Sequence, residues 1–163
     1  MDSLLEIVIN QPFQADQIQD LYSDKLDLTR ANPKASYPFS ASEWTSTIEN
    51  DPENISLLFI HKKEILGHVA LILNSERLYL CFVIVKNDYR RQGFGKNIII
   101  LAEEFVRLNY SNKLLHLNVD SQNSAALNLY KGLNYEVEAQ SGDLITMVKD
   151  LTQKKRPPIK VAF

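Results

Sequence analysis

The order of apolar runs and amphipathic stretches predicts an α/β or α+β sheet with helices on both faces. Two observations carry that prediction. Three near-continuous apolar runs, ISLLFIHK, ILGHVALIL and RLYLCFVIV, follow one another across short polar breaks. Runs apolar on both faces suit central strands covered on each side. Stretches of helical period stand before and after them, giving the order β, α, α, three strands, α, β, α, β, β. A length of 163 residues with 45% hydrophobic content fits one domain. That domain is assigned to residues 1–150, with 151–163 as a basic, Pro-containing tail.

Each element has its own signal. Leu4 to Asn10 is short and β-branched and reads as a first strand. From Gln14 to about Leu28, Ile18, Leu21, Tyr22 and Leu26 share a helical face, with Asp16, Asp20 and Asp24 on the other. RANPKASYPFSASEW carries Pro33 and Pro38 and opens as loop, after which Ser42 is placed to cap a helix through Trp44 and Ile48. The turn-rich NDPEN precedes the first two apolar runs, which form a hairpin across KKE. Lys96 to Leu108 is expected to be helical, with Ile98, Leu101, Ala102 and Phe105 on one stripe. KLLHLNV follows as a buried strand and NSAALNLYKGL as an amphipathic helix. YEVEA and LITMVKDL close the domain as a hairpin through Ser141-Gly142-Asp143. The tail TQKKRPPIKVAF has neither period, and Pro157-Pro158 blocks regular pairing.

The net charge of −2 disfavours a generic nucleic-acid or anionic-membrane binder. Residues 1–80 hold 12 acids and 6 bases, giving −6, and residues 81–163 hold 8 acids and 12 bases, giving +4. The asymmetry reads either as a basic tail or as a second half that meets an anion while the first faces a cation. The single cysteine, Cys81, excludes an intrachain disulfide and lies in an apolar run, where a core thiol is expected. No apolar stretch approaches the ~18 residues that cross a bilayer, and the acidic start MDSLLEIVIN is unlike a leader, so the expectation is cytoplasmic.

YRRQGFGK, residues 89–96, holds two of the five glycines among three cations. A strand running into glycines and then a helix is the geometry of an anion site, because first-turn amides lack partners and the helix dipole favours negative charge. Gly93 and Gly95 admit close backbone approach, and Arg90, Arg91 and Lys96 would add charge-assisted hydrogen bonds. Spacing excludes a P-loop, since Asn97 stands where Ser or Thr should follow Lys96. It also excludes the dinucleotide fingerprint, whose third glycine is absent. A tight turn with solvated arginines remains as the plain alternative.

Arg90-x-x-Gly93-x-Gly95, after CFVIV and before an amphipathic helix, resembles the acyl-CoA motif of the GNAT N-acetyltransferase superfamily. Leu117, Val119, Asn123, Ala126, Leu129 and Tyr130 fall in register with its second signature. The resemblance implies a mostly antiparallel sheet of about six to seven strands and acetyl-CoA as cosubstrate, with no metal. It further implies that Arg90, Arg91, Gln92, Gly93, Phe94, Gly95 and Lys96 hold the pyrophosphate. The pantetheine arm would pair with the backbone of Val83, Ile84 and Val85, and Asn123 would cap the following helix near the cofactor. Tyr130 matches the general acid that protonates the departing thiolate, which suits a phenol with an ordinary pKa of about 10.

The resemblance breaks where many relatives carry a basic Glu, because Asn118 stands there and an amide is no base. His116 and Asp120 share its strand face, Glu76 precedes the preceding apolar run, and water is a further option, so the base stays unassigned. The family's Gly-Phe after the tyrosine helix is Asn134-Tyr135, and Asn tolerates the left-handed conformation. The amine acceptor, small molecule or peptide, is expected between Asp16 and about Asn50. There Asp16, Asp20 and Asp24 either attract a cation or are merely solvated. Tyr37, Phe39 and Trp44 either line a pocket or anchor the loop. Nucleic-acid and membrane partners are not expected, and a homodimer stays open. A weakly catalytic acyl-CoA-binding regulatory module is the second reading, and a binding domain built on KKRPPIK the third.

Overall fold

In the computed structural model, residues 4–152 and 161–162 are described. The strands are β1 (Leu5–Ile9), β2 (Ile55–His61), β3 (Glu64–Asn74), β4 (Arg77–Val85), β5 (Leu114–Asp120), β6 (Glu136–Ser141), β7 (Leu144–Asp150) and the two-residue β8 (Val161–Ala162). They form one sheet in the order β6-β7-β5-β4-β3-β2-β1-β8. β4 with β5 and β1 with β8 run parallel, and the other neighbours are antiparallel. The predicted mixed sheet is therefore present, with seven strands plus a short eighth. The tail was expected to pair nowhere, yet Val161–Ala162 adds to the β1 edge; Pro157-Pro158 lies outside the described residues.

Helices α1 (Lys25–Ala31), α2 (Ala41–Ile48), α3 (Phe94–Asn109) and α4 (Ser124–Gly132) cover the sheet. One core joins the sheet to α3 and α4 through residues such as Leu57, Leu71, Leu101, Phe105 and Leu117. A smaller core joins the other face to the α1–α2 region through Ile18, Tyr22, Leu28, Trp44, Leu58 and Ile84.

The continuous helix expected from Gln14 to Leu28 does not form. Two 3-10 turns, Ala15–Gln17 and Gln19–Tyr22, precede α1, which starts only at Lys25. Asp24 breaks the run, because its carboxylate caps the new helix by accepting from the Asp27 N–H at 3.0 Å. Leu26 consequently points outward, at 55% exposure, while Ile18, Leu21 and Tyr22 keep their inward face. Asp16, Asp20 and Asp24 form no single stripe. Seven residues are too few for an isolated helix in water, so α1 depends on tertiary packing. The cap of α2 is Ser40 rather than Ser42, its hydroxyl accepting from the Glu43 N–H.

β4 carries the feature that shapes the site. Against β3, Ala70 pairs with Cys81 but His68 pairs with Ile84, so β4 holds one extra residue opposite Val69. Phe82 absorbs the insertion at φ 55°. The face of each side chain switches there. Leu78 and Leu80 belong to the α3–α4 core, and beyond the bulge Val83 and Val85 pack against that same core, while Phe82 and Ile84 turn to the other.

Candidate active site

The two parallel strands at the centre of the sheet meet at only two rungs, Leu78 with Leu115 and Tyr79 with His116. Beyond Tyr79 the β4 main chain has no partner strand on the β5 side among the described residues, so the sheet opens into a cleft from Leu80 to Val85. Such an edge offers backbone donors and acceptors to any extended ligand. Val83, Ile84 and Val85 lie along it, with Ile84 buried in the α1–α2 core.

At the end of this edge the chain turns through Asn87–Tyr89 and enters α3. Gly93 is the N-cap at φ 86°, which a side chain rarely adopts, and no side chain caps the helix. The helix begins at Phe94, two residues before the expected Lys96, so the amides of Phe94, Gly95 and Lys96 belong to its unsatisfied first turn. There is no acidic residue in that turn to oppose an anion. Arg91, Gln92 and Lys96 are exposed beside it. At Gly95 a Cβ would make only ordinary contacts, 3.8 Å from Leu129 Cδ2 and 3.9 Å from Val85 Cγ2, so packing alone does not demand glycine there.

Arg90 has a different task from its neighbours. Its Nε donates to the Val85 carbonyl at 2.7 Å, and its two terminal nitrogens grip both Asp27 oxygens at 3.1 and 3.0 Å. The forked geometry makes this a well-oriented pair. Arg90 thereby ties the end of β4 to α1, with its guanidinium already engaged rather than free beside the glycines as expected. Below the loop, His61 stacks edge-on against Tyr89 and packs on Phe94, which holds the turn against β2.

Tyr130 projects from α4 into the core beside the cleft, 7% exposed, with its ring edge-on to Tyr135 at 5.7 Å. Burial, and then the neighbouring Cys81, raise its phenol above the ordinary value. Its hydroxyl makes no hydrogen bond to another described residue. Cys81 is itself pushed up to about 12 by burial, which fits a thiol and not a thiolate nucleophile. Asn123 caps α4 as expected, its Oδ1 accepting from the Ala126 N–H at 3.3 Å. Asn134 holds φ 73° at the end of that helix, the left-handed role expected of it.

The base candidates separate by position. Glu76 lies in the turn that opens β4, at the end of the strand away from α3. Asp120 is exposed and accepts from the Gln122 N–H. Asn118 accepts from the Thr146 hydroxyl at 2.7 Å. His116 stands at the last β4–β5 rung and turns away from the core face of Leu115 and Leu117, with Nε2 3.4 Å from Glu138 Oε2 and neither ring nitrogen in a formed hydrogen bond.

Two buried polar networks flank the cleft and were not anticipated. On the α1–α2 side, Tyr22, His68, Ser56 and Asn10 are joined in series. Behind Tyr130, Glu103 is fully buried between Lys149 Nζ and the Tyr135 hydroxyl, each 2.8 Å away. On the acceptor side, Trp44 and Phe39 stack at 5.0 Å and act as anchors, while Tyr37 is half-exposed with its hydroxyl on the Ser23 carbonyl. Asp20, Asp24 and Asp27 line a surface cavity of about 380 Å³ with Lys86 and Arg90. No group of metal-ligating side chains occurs among the described residues.

Residues 15–135 match the model of the acetyltransferase (GNAT) family. The chain belongs to that family. A GCN5-related N-acetyltransferase 5, chloroplastic, of Arabidopsis thaliana is 31% identical over 89 residues, 52% of this chain and 28% of that protein. The N-alpha-acetyltransferase 30 of Saccharomyces cerevisiae is 27% identical over 85 residues, 48% of each. The chain thus spans less than half the length of these curated relatives. The PaiA N-acetyltransferase of Thermoplasma acidophilum, solved in complex with coenzyme A, shares the fold at TM-score 0.68 and 17% identity, over 92% of this chain and 99% of that one. The fastening of Arg90 and the two buried networks are read from this chain itself.

Proposed function

We propose that the chain is an acetyl-CoA-dependent N-acetyltransferase that moves the acetyl group directly onto a primary amine. The observation that carries this reading is the continuity of the unpaired β4 edge with the uncapped N-terminus of α3. One ligand that is extended at one end and doubly anionic at the other matches both. Backbone pairing along Val83, Ile84 and Val85 would take the pantetheine arm, and the amides from Gly93 to Lys96 the pyrophosphate.

The two faces of the sheet then divide the chemistry. A departing sulfur on the α4 side meets Tyr130, whose buried phenol stays protonated until that sulfur carries charge. An amine arriving from the α1–α2 side attacks the thioester carbon, so a C–N bond forms as the C–S bond breaks. The thiolate takes the Tyr130 proton, and the nitrogen yields one of its own. His116, backed by Glu138, is the best supported recipient, because it faces that side at the point where the strands part.

A regulatory acyl-CoA-binding module is the second reading. It is favoured by Asn118, whose amide stands where a carboxylate base is common and is already engaged by Thr146. One experiment separates the two. Thiol release from acetyl-CoA is followed with spermidine, glucosamine, a lysine-containing peptide and a peptide with a free α-amine, the last suggested by the yeast relative. We expect release with at least one acceptor. Tyr130→Phe should then lower kcat by on the order of 10²-fold with little change in acetyl-CoA affinity, and His116→Gln should lower kcat while leaving acetyl-CoA affinity unchanged. Binding of acetyl-CoA without release would favour the regulatory reading, and unchanged turnover in either variant would remove that residue from its role.

A further inference from the structure

The bulge in β4 needs support of its own. Phe82 keeps φ 55°, a conformation that costs a bulky residue about 1–3 kcal/mol and persists only where its surroundings over-determine it. The Tyr22 hydroxyl donates to the Phe82 carbonyl. A hydroxyl has one proton to give, so Tyr22 must accept from His68 Nδ1, 2.9 Å away. That fixes the imidazole tautomer and leaves Nε2 to accept from Ser56 Oγ at 2.8 Å. Ser56 Oγ accepts in turn from Asn10 Nδ2 at 3.4 Å. Every donor finds an acceptor, and the whole series points one way, from the end of β1 to the bulge.

The series is dry and drawn from separate parts of the fold. Tyr22 and His68 are fully buried and Ser56 is 1% exposed. Tyr22 comes from the turn before α1, His68 from β3 and Ser56 from β2. Burial lowers the His68 imidazole to about 3, the backbone contact with Phe82 acting the other way, so the ring is neutral at working pH. A network of this kind serves geometry: each lost link strands a buried polar group.

We propose that the Tyr22–His68–Ser56 series is a positioning device for the acetyl thioester. By holding the Phe82 carbonyl toward the α1–α2 side, it turns the Val83 N–H of the same trans peptide to the opposite side, and that N–H is the donor that polarises the thioester carbonyl. Donors held in place before the substrate arrives cost no reorganisation during the reaction. This role rests on the acetyl-transfer reading.

The test uses acetyl-CoA labelled with ¹³C at the acetyl carbonyl, whose stretch is read by difference infrared spectroscopy on the saturated protein. No acceptor is needed. The carbonyl stretch should fall on binding to the wild type. Tyr22→Phe keeps the ring and removes the hydroxyl, so it should bind acetyl-CoA within about threefold of wild type yet lose most of that shift. Turnover should fall by on the order of ten- to a hundredfold, as misplacement of a reacting group does. Ser56→Ala, two links away, should lose part of the shift, and it carries the test if Tyr22→Phe fails to fold. A full shift in the folded variants, or none in the wild type, overturns the positioning role alone. Failure of the wild type to bind acetyl-CoA overturns the acetyl-transfer reading and the positioning role with it.

Discussion

One hydroxyl separates Tyr135 from the phenylalanine of the family pattern, and it donates to a buried carboxylate. Glu103 and Lys149 would each be severely destabilising alone in this core, and together they satisfy one another. Both were visible in the sequence as charges in the wrong phase. Glu103 lies among Ile99, Ala102 and Val106 of an apolar helix face, and Lys149 continues the inward alternation of Ile145 and Met147. His68 left no such trace, because its partners Tyr22 and Ser56 lie 46 and 12 residues away in the chain. It has a measurable consequence all the same. Its folded pKa lies near 3 against 6.5 unfolded, so the unfolded chain takes a proton that the native ring refuses. This contribution is complete above pH 6.5 and is lost as the pH falls toward 3, at about 1.4 kcal/mol per unit once well below 6.5. Urea midpoints at pH 7, 6 and 5 should give His68→Gln a flatter slope than wild type by about one proton, and equal slopes would acquit His68.

Elements were legible where one period dominated and illegible where a cap intervened. The long stripe of α3 and the Asn123 cap of α4 match expectation closely, since nothing competes with either signal. The region before α1 failed because Ile18, Leu21, Tyr22 and Leu26 satisfy a helical count that Asp24 interrupts by capping a later turn. The β4 bulge was equally hidden, as nothing in RLYLCFVIV marks Phe82 as the residue that takes positive φ. Gly93 is the reverse case, where a glycine does announce its conformation. Gly93→Ala should cost about 1–2 kcal/mol through the forced left-handed φ, seen as a lowered Tm. It should also weaken acetyl-CoA binding severalfold by calorimetry as the first-turn amides of α3 shift. An unchanged affinity would take those amides out of the anion site.

At the scale of the whole molecule the sheet is two slabs, β1–β4 with β8 and β5–β7, that share two rungs. The sequence predicted the strands but not this weak join, because pairing between parallel strands leaves no local pattern. A ligand lying in the cleft would bridge the slabs. At a hundredfold excess over Kd it should add about 2.7 kcal/mol to stability. Hydrogen exchange should slow at Leu80–Val85 on adding acetyl-CoA, while the β2–β3 amides barely change. Equal slowing everywhere would mean that binding stabilises the fold without sealing the join. The same unpaired edge has a bearing on survival in a crowded solution. An uncovered run of backbone donors and acceptors is a template on which another extended chain can pair. A ligand lying along Leu80–Val85 would occupy that edge and withhold its donors and acceptors from any other extended chain.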